Sequence, residues 1–257
     1  MSETIKGPGI LWVQSRIAQS ARDSFTEPNF LHWYDEEHIA EVISTSGIKN
    51  AFRYVDMNKT SPCGDSANSK PFLAFYPMSD LAFTLGDEFR NIAVKSDKLP
   101  GSGVIYDLAD LDVSYLGFIG ATTRERVEER TQYILTSGIK PEKELPTRDI
   151  NAFYDRQTAQ VSQGKGYIRS LRFRLLYART NAQSRALKGL PTTDEPNPDP
   201  PTWLSIHEFS TIPDKSVAEA LAKDPGDAET GGKQRVTQNE VHVWKLERVH
   251  GEGIFFE

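Results

Sequence analysis

One cysteine stands among the 257 residues. Cys63 can close no internal disulfide, and a structural zinc site built on thiolates is excluded. A reducing compartment is therefore expected, with the cytoplasm as the default location. Positive charge is also short, since 30 Lys and Arg face 36 Asp and Glu and leave a formal charge of −6. Neither sign forms a long block, so the basic footprint of a partner such as nucleic acid or an anionic membrane is missing. No apolar stretch reaches the about 20 residues that cross a bilayer, and residues 1–8 lack the apolar core of a signal peptide. Phosphate-cradling glycine loops, HExxH, GxSxG and CxxC are absent, and the Gly101-Ser102-Gly103 turn fits no dinucleotide fingerprint. Nucleotide, flavin and metal cofactors are accordingly not expected.

What the chain does contain is a weak internal repeat. Gly9 to Ser15 and Gln132 to Ser137 each read as a short apolar strand. A helix follows each, over residues 29–43 and 150–161. The triplets Trp33-Tyr34-Asp35 and Phe153-Tyr154-Asp155 anchor the match, and Gly47 and Gly166 stand where helix C-cap glycines belong. Further strands read at Ala51 to Val55, Phe72 to Tyr76 and Leu111 to Phe118. Their counterparts run from Ser170 to Leu175, Trp203 to His207 and Glu240 to Leu246. Second helices open at Ser79-Asp80-Leu81 and at Asp214. The order β-α-β-β-α-β occurs twice, which predicts an α+β fold of two fused ferredoxin-like repeats. The first covers residues 1–121, a charged connector 122–131, and the second 132–257. A polar, proline-rich loop is expected over 177–200.

Each repeat would leave one apolar sheet face bare, and the two sheets are expected to bury those faces against each other. Strand alternation then assigns Phe52, Tyr54, Leu73, Phe75, Leu171, Phe173, Leu204 and Ile206 to the helix-covered side. Arg53, Phe72, Tyr76, Arg172, Trp203 and His207 would face a pocket between the sheets. Such a polar and aromatic interior suits a ligand.

Trp33-Tyr34-Asp35-Glu36-Glu37-His38, the strand entry from Gly47 to Tyr54 and the duplication together resemble fungal EthD-like proteins of the dimeric α/β-barrel superfamily. The resemblance spans about Gly9 to Leu246. It implies a barrel made within one chain, as a monomer or homodimer, where relatives need two chains. Thr158 replaces the histidine in the second copy, which implies one active pocket and one mainly structural half.

Tyr34 and His38 lie four apart on one helix face, where His38 can act as acid or base with Tyr34 orienting it. A histidine there also serves simply to fix the helix on the sheet. His207 can polarise a carbonyl or be a satisfied core residue. Arg172, placed with these three in the catalytic set, and Arg53 can hold an enolate oxygen or pair with acids. Trp12, Gln14, Phe72, Tyr76, Trp203 and Trp244 form a candidate substrate wall, although packing of the inter-sheet core is the more common fate of such residues. The leading expectation is a cofactor-independent enzyme of fungal secondary metabolism. It would cyclise or isomerise a bulky apolar polyketide or terpenoid, by aldol-type or Diels–Alder-like closure. The alternatives are a cofactor-free monooxygenase of anthrone-like substrates and a ligand carrier without catalysis.

Overall fold

The computed structural model describes residues 5–122, 130–223 and 236–253. Its elements run β1 (Gly9–Ile17), α1 (Glu27–Trp33), α2 (Ile39–Ser44), β2 (Asn50–Asp56), β3 (Phe72–Met78), α3 (Asp87–Arg90) and β4 (Ala109–Ala121). There follow β5 (Tyr133–Pro141), α4 (Thr147–Val161), β6 (Tyr167–Arg179), α5 (Asn181–Leu187), β7 (Trp203–Phe209), α6 (Lys215–Lys223) and β8 (Val236–Gly251). Most of the expected connector, residues 123–129, lies outside the described residues. No described helix is long and apolar enough to cross a membrane.

The eight strands form one closed barrel in the order β1-β3-β2-β8-β5-β7-β6-β4. This corrects the expected fold of two fused ferredoxin-like βαββαβ repeats with separate sheets face to face, since β8 follows β2 and β4 follows β6 in a single ring. Strand length is the physical reason. β4, β6 and β8 run for 13, 13 and 16 residues, against seven each for β2, β3 and β7. The backbone groups of the added residues need partners, and a closed ring leaves no bare edge. The sequence hides those extensions, because Glu247-Arg248-Val249-His250 reads as a polar tail and Tyr177-Ala178-Arg179 as the start of a loop.

Packing divides the chain into two compact units. The first holds the described residues through Gly117, Leu176–Asp199, and those from Glu247 onward; the second holds Phe118–Leu175 and Pro200–Leu246. In the first unit β1 pairs with β3 and β4, and β2 with β3. Thr26 caps α1, its hydroxyl accepting from the Asn29 N–H at 3.4 Å, and Pro28 sits in the first turn, where no donor is needed. Phe30, Trp33, Ile39 and Val42 are then buried in one cluster with Leu11, Val13, Phe72, Ala74 and Tyr76. Full burial of a side chain such as Phe30 contributes about 1.5–3 kcal/mol. In the second unit β5 pairs with β7 and β8, and β6 with β7. There α4 buries Ile150, Phe153, Tyr154, Gln157 and Val161, a single helical stripe.

Strand phase is the reverse of that expected. Phe72 and Tyr76 lie under the helices, as does Arg53, which reaches Asp35. Phe52, Tyr54 and Trp12 instead stack on Phe75 on the other face, at centroid distances of 5.2, 5.5 and 5.7 Å. In the second unit Trp203 packs against α4 residues and Ser205 bonds Gln157. The helices bring their own polar groups, so mixed polar faces belong beneath them.

Two local readings also change. Gly47 has no helix-capping conformation, since α2 already ends at Thr45; a Cβ there would meet the Phe83 ring at 2.2 Å. The helix expected from Ser79 breaks at Gly86 into a 3₁₀ turn, Leu81–Leu85, and the four-residue α3.

Candidate functional site

The helix expected over residues 29–43 carries a defect at its centre. Between α1 and α2, Tyr34–His38 form one π turn, with the Ile39 N–H reaching the Tyr34 carbonyl. Such bulges insert one residue into the helical ladder and recur at functional sites. In an α-helix, side chains five apart diverge by about 140° around the axis. The wider turn instead stacks Trp33 on His38, with centroids 5.0 Å apart and planes at 15°. Tyr34 stands edge-on to His38, at 5.4 Å and 74°.

These three rings open on a cavity of about 160 Å³ that lies wholly within the first unit. Its floor is Leu11 and Val13 of β1, Tyr76 of β3, and Leu111, Val113 and Tyr115 of β4. Leu85, Tyr177 and Leu187 line it and are exposed, giving an apolar rim. A dry cavity of about 150 Å³ accepts benzene. The enclosed part therefore takes one aromatic ring, with room for the rest of a larger ligand at the rim.

Burial sets the protonation states. It lowers the His38 pKa to about 4, helped by the nearby Lys188 charge and opposed by a hydrogen bond to the Ala93 backbone. His38 is thus neutral at neutral pH, and its Nδ1 has no partner. Burial raises Tyr34 and Tyr76, so both stay protonated, and each adds to the other's environment. The two hydroxyls face each other as hydrogen-bond partners, though neither reaches full hydrogen-bond geometry. The cavity holds one unpaired basic nitrogen and a loosely coupled pair of tyrosine hydroxyls among mainly apolar walls.

Beneath the π turn lies an ion cluster. Asp35 accepts from Arg53 Nε at 2.7 Å and Nη2 at 2.8 Å, and His250 Nε2 lies 3.2 Å away. Burial alone would raise the Asp35 carboxyl; hydrogen bonds from His250 and Arg53, with the Arg53 charge, hold it at about 2. The bidentate pair locks the residue next to Tyr34 onto β2.

Of the residues nominated from sequence, Tyr34, His38 and Tyr76 come together in the cavity. Arg53 lies below it with Asp35. Phe72 packs on Phe30 at 5.4 Å. Trp12 lies on the opposite sheet face, with half-buried Gln14 two residues on. The remaining four belong to the second unit. Arg172 sits 3.5 Å from Asp155 and over the Tyr154 ring. Trp203 lies under Arg174, and Trp244 donates to the Thr136 hydroxyl at 3.0 Å. His207 Nδ1 is 2.7 Å from the Ser170 hydroxyl, and burial brings its pKa to about 3.

Arg179 and Lys188 line the cavity and escape sequence reading. Both fall in the stretch expected to be a proline-rich loop. A usable signal was present: Thr180-Asn181-Ala182-Gln183 is a capping box, and α5 starts there. Among the described residues no group of three or more His, Cys, Asp or Glu is placed to hold a metal ion.

No family model matches the sequence, and no curated protein matches it. Solved structures do. An anthrone oxidase-like protein superimposes with a TM-score of 0.49 at 11% identity, covering 96% of this chain and 94% of that one. A proposed monooxygenase from Fusobacterium nucleatum gives 0.46 at 10% identity, over 96% and 95% of the two chains. Another from Lactobacillus acidophilus gives 0.43 at 10%, over 96% and 97%.

Proposed function

We propose that the chain is a cofactor-independent oxygenase acting on an enolisable aromatic ketone of the anthrone type. The observation that carries this is the neutral His38 with an unpaired Nδ1 in a mainly apolar cavity, beside two tyrosine hydroxyls that face only each other. Nδ1 takes a proton from the carbon activated by the ring ketone. Tyr34 and Tyr76 donate to the enolate oxygen as charge develops there. The carbanion adds to dioxygen, and the His38 proton completes a hydroperoxide. Loss of the second C–H proton expels hydroxide, which leaves as water with that proton. One CH₂ and one O₂ become one C=O and one H₂O.

The names of the neighbouring structures carry the same chemistry, at identities too low for it to be transferred from them; the cavity supports it here. Cyclisation of a polyketide or terpenoid, the leading expectation from sequence, has no observation in its favour. The EthD-like resemblance has no such support; Trp33, Tyr34 and His38, which carried it, form the aromatic side of the cavity. An oxygen electrode with anthrone as substrate tests the reading. One O₂ should be consumed per quinone formed, well above the spontaneous rate. Turnover of anthrone at the same rate under argon would oppose it.

A further inference from the structure

The cavity carries three cations and no acid. Arg90, Arg179 and Lys188 line it, and none of its described lining residues is Asp or Glu. Arg90 is exposed at the edge, near Asp87. Arg179 is different. It is only 7% exposed, its Nε lacks any partner, and no described carboxylate pairs with it. It lies over the Tyr115 ring, 5.7 Å from centroid to guanidinium carbon, and its charge reaches Tyr106 and Lys188, neither of them an acid. Lys188 donates to the Ile92 carbonyl at 2.6 Å and to that of Arg90, neither of which cancels its charge. Glu41, the acid whose charge reaches it, accepts from the Ala93 N–H at 3.0 Å.

This pair is held by construction. The Asn181 side chain accepts from the Leu111 N–H at 3.0 Å and donates to the Ala109 carbonyl at 2.8 Å, docking α5 on β4. Arg179 precedes that anchor by two residues and Lys188 follows the helix. A buried guanidinium without a counter-charge is unfavourable in the empty protein, and its planar fork matches a carboxylate. We propose that the missing charge is supplied by the ligand: the cavity takes an aromatic carboxylate, its ring among Trp33, Tyr76 and Tyr115 and its carboxylate on Arg179 with Lys188 behind. This deepens the oxygenase reading, on whose site it rests, by making the substrate an acid as well as an enolisable ketone.

Calorimetry with 2-naphthoate and 2-naphthamide, which share shape but not charge, tests it without turnover. The native protein should bind the naphthoate about 10- to 100-fold more tightly. Arg179→Met should erase that ratio, Arg179→Lys should keep part of it, and Arg179→Met should melt no lower than the native protein when both are empty. If Arg179→Met fails to fold, Lys188→Gln should still narrow the ratio. Equal binding of the two probes, or no binding of either, overturns the proposal. A naphthoate preference with oxidation of neither anthrone nor an anthrone carboxylic acid leaves the anion site standing and removes the oxygenase reading.

Discussion

Replacing His38 with glutamine lowers substrate oxidation by about two to four orders of magnitude, the range lost with a positioned general base. Glutamine keeps the size and one polar end but cannot take a proton near neutral pH. The pH profile separates this role from a structural one. A base acts when deprotonated, and burial places this one near 4. The native kcat/KM should therefore hold from neutral pH down to about 5 and fall only below about 4. An exposed histidine would lose activity near its ordinary value of about 6.5. Glutamine should abolish that acid limb along with the rate. A variant that retains both the rate and the limb would show that His38 only anchors the helix.

The largest stability effect is expected at Asp35. Asp35→Asn leaves Arg53 buried without its counter-charge, and removing one member of a buried pair costs about 3–5 kcal/mol. For a chain of this size that corresponds to a fall of about 10 °C or more in Tm. The side chains of Arg53 and Asp35 are 9% and 7% exposed, so solvent offers little relief. Arg248, 45% exposed, reaches the same carboxylate at 3.4 Å, and its share is correspondingly small. Asp35→Leu with Arg53→Met removes both charges and should recover most of the loss. Thermal melts of the single and double variants check this. An additive double variant would mean that the two residues act separately.

What the residues disclosed, and what they concealed, follows from how far each interaction reaches. Strand and helix positions are local and were legible: the apolar run at Gly9 leads into β1 (Gly9–Ile17), and the Tyr34–His38 spacing marks the cavity's aromatic side. The π turn was not legible, because Trp33-Tyr34-Asp35-Glu36-Glu37-His38 reads as ordinary helix until packing inserts the extra residue. Strand phase failed for a related reason. Phe72-Leu73-Ala74-Phe75-Tyr76 is apolar on both faces, so alternation alone cannot say which side meets α1. Arg53 decides it, because its partner Asp35 stands on the helix side. Closure of the barrel depends on charged extensions such as residues 247–251, whose pairing no local pattern announces. Arg179 and Lys188 stay out of reach while 177–200 reads as a loop, although the capping box at Thr180 points to a helix.

The central claim is that His38 removes a carbon-bound proton in the first unit's cavity. Proton exchange isolates that step from the oxygen chemistry after it. Anthrone incubated with the protein in deuterated buffer under argon, followed by NMR, gives the rate at which the CH₂ signal is lost. The native protein should accelerate this exchange well above the buffer rate, and His38→Gln, still folded by its melting curve, should return it to within about tenfold of buffer. Equal acceleration by both proteins, or none by the native one, would contradict it.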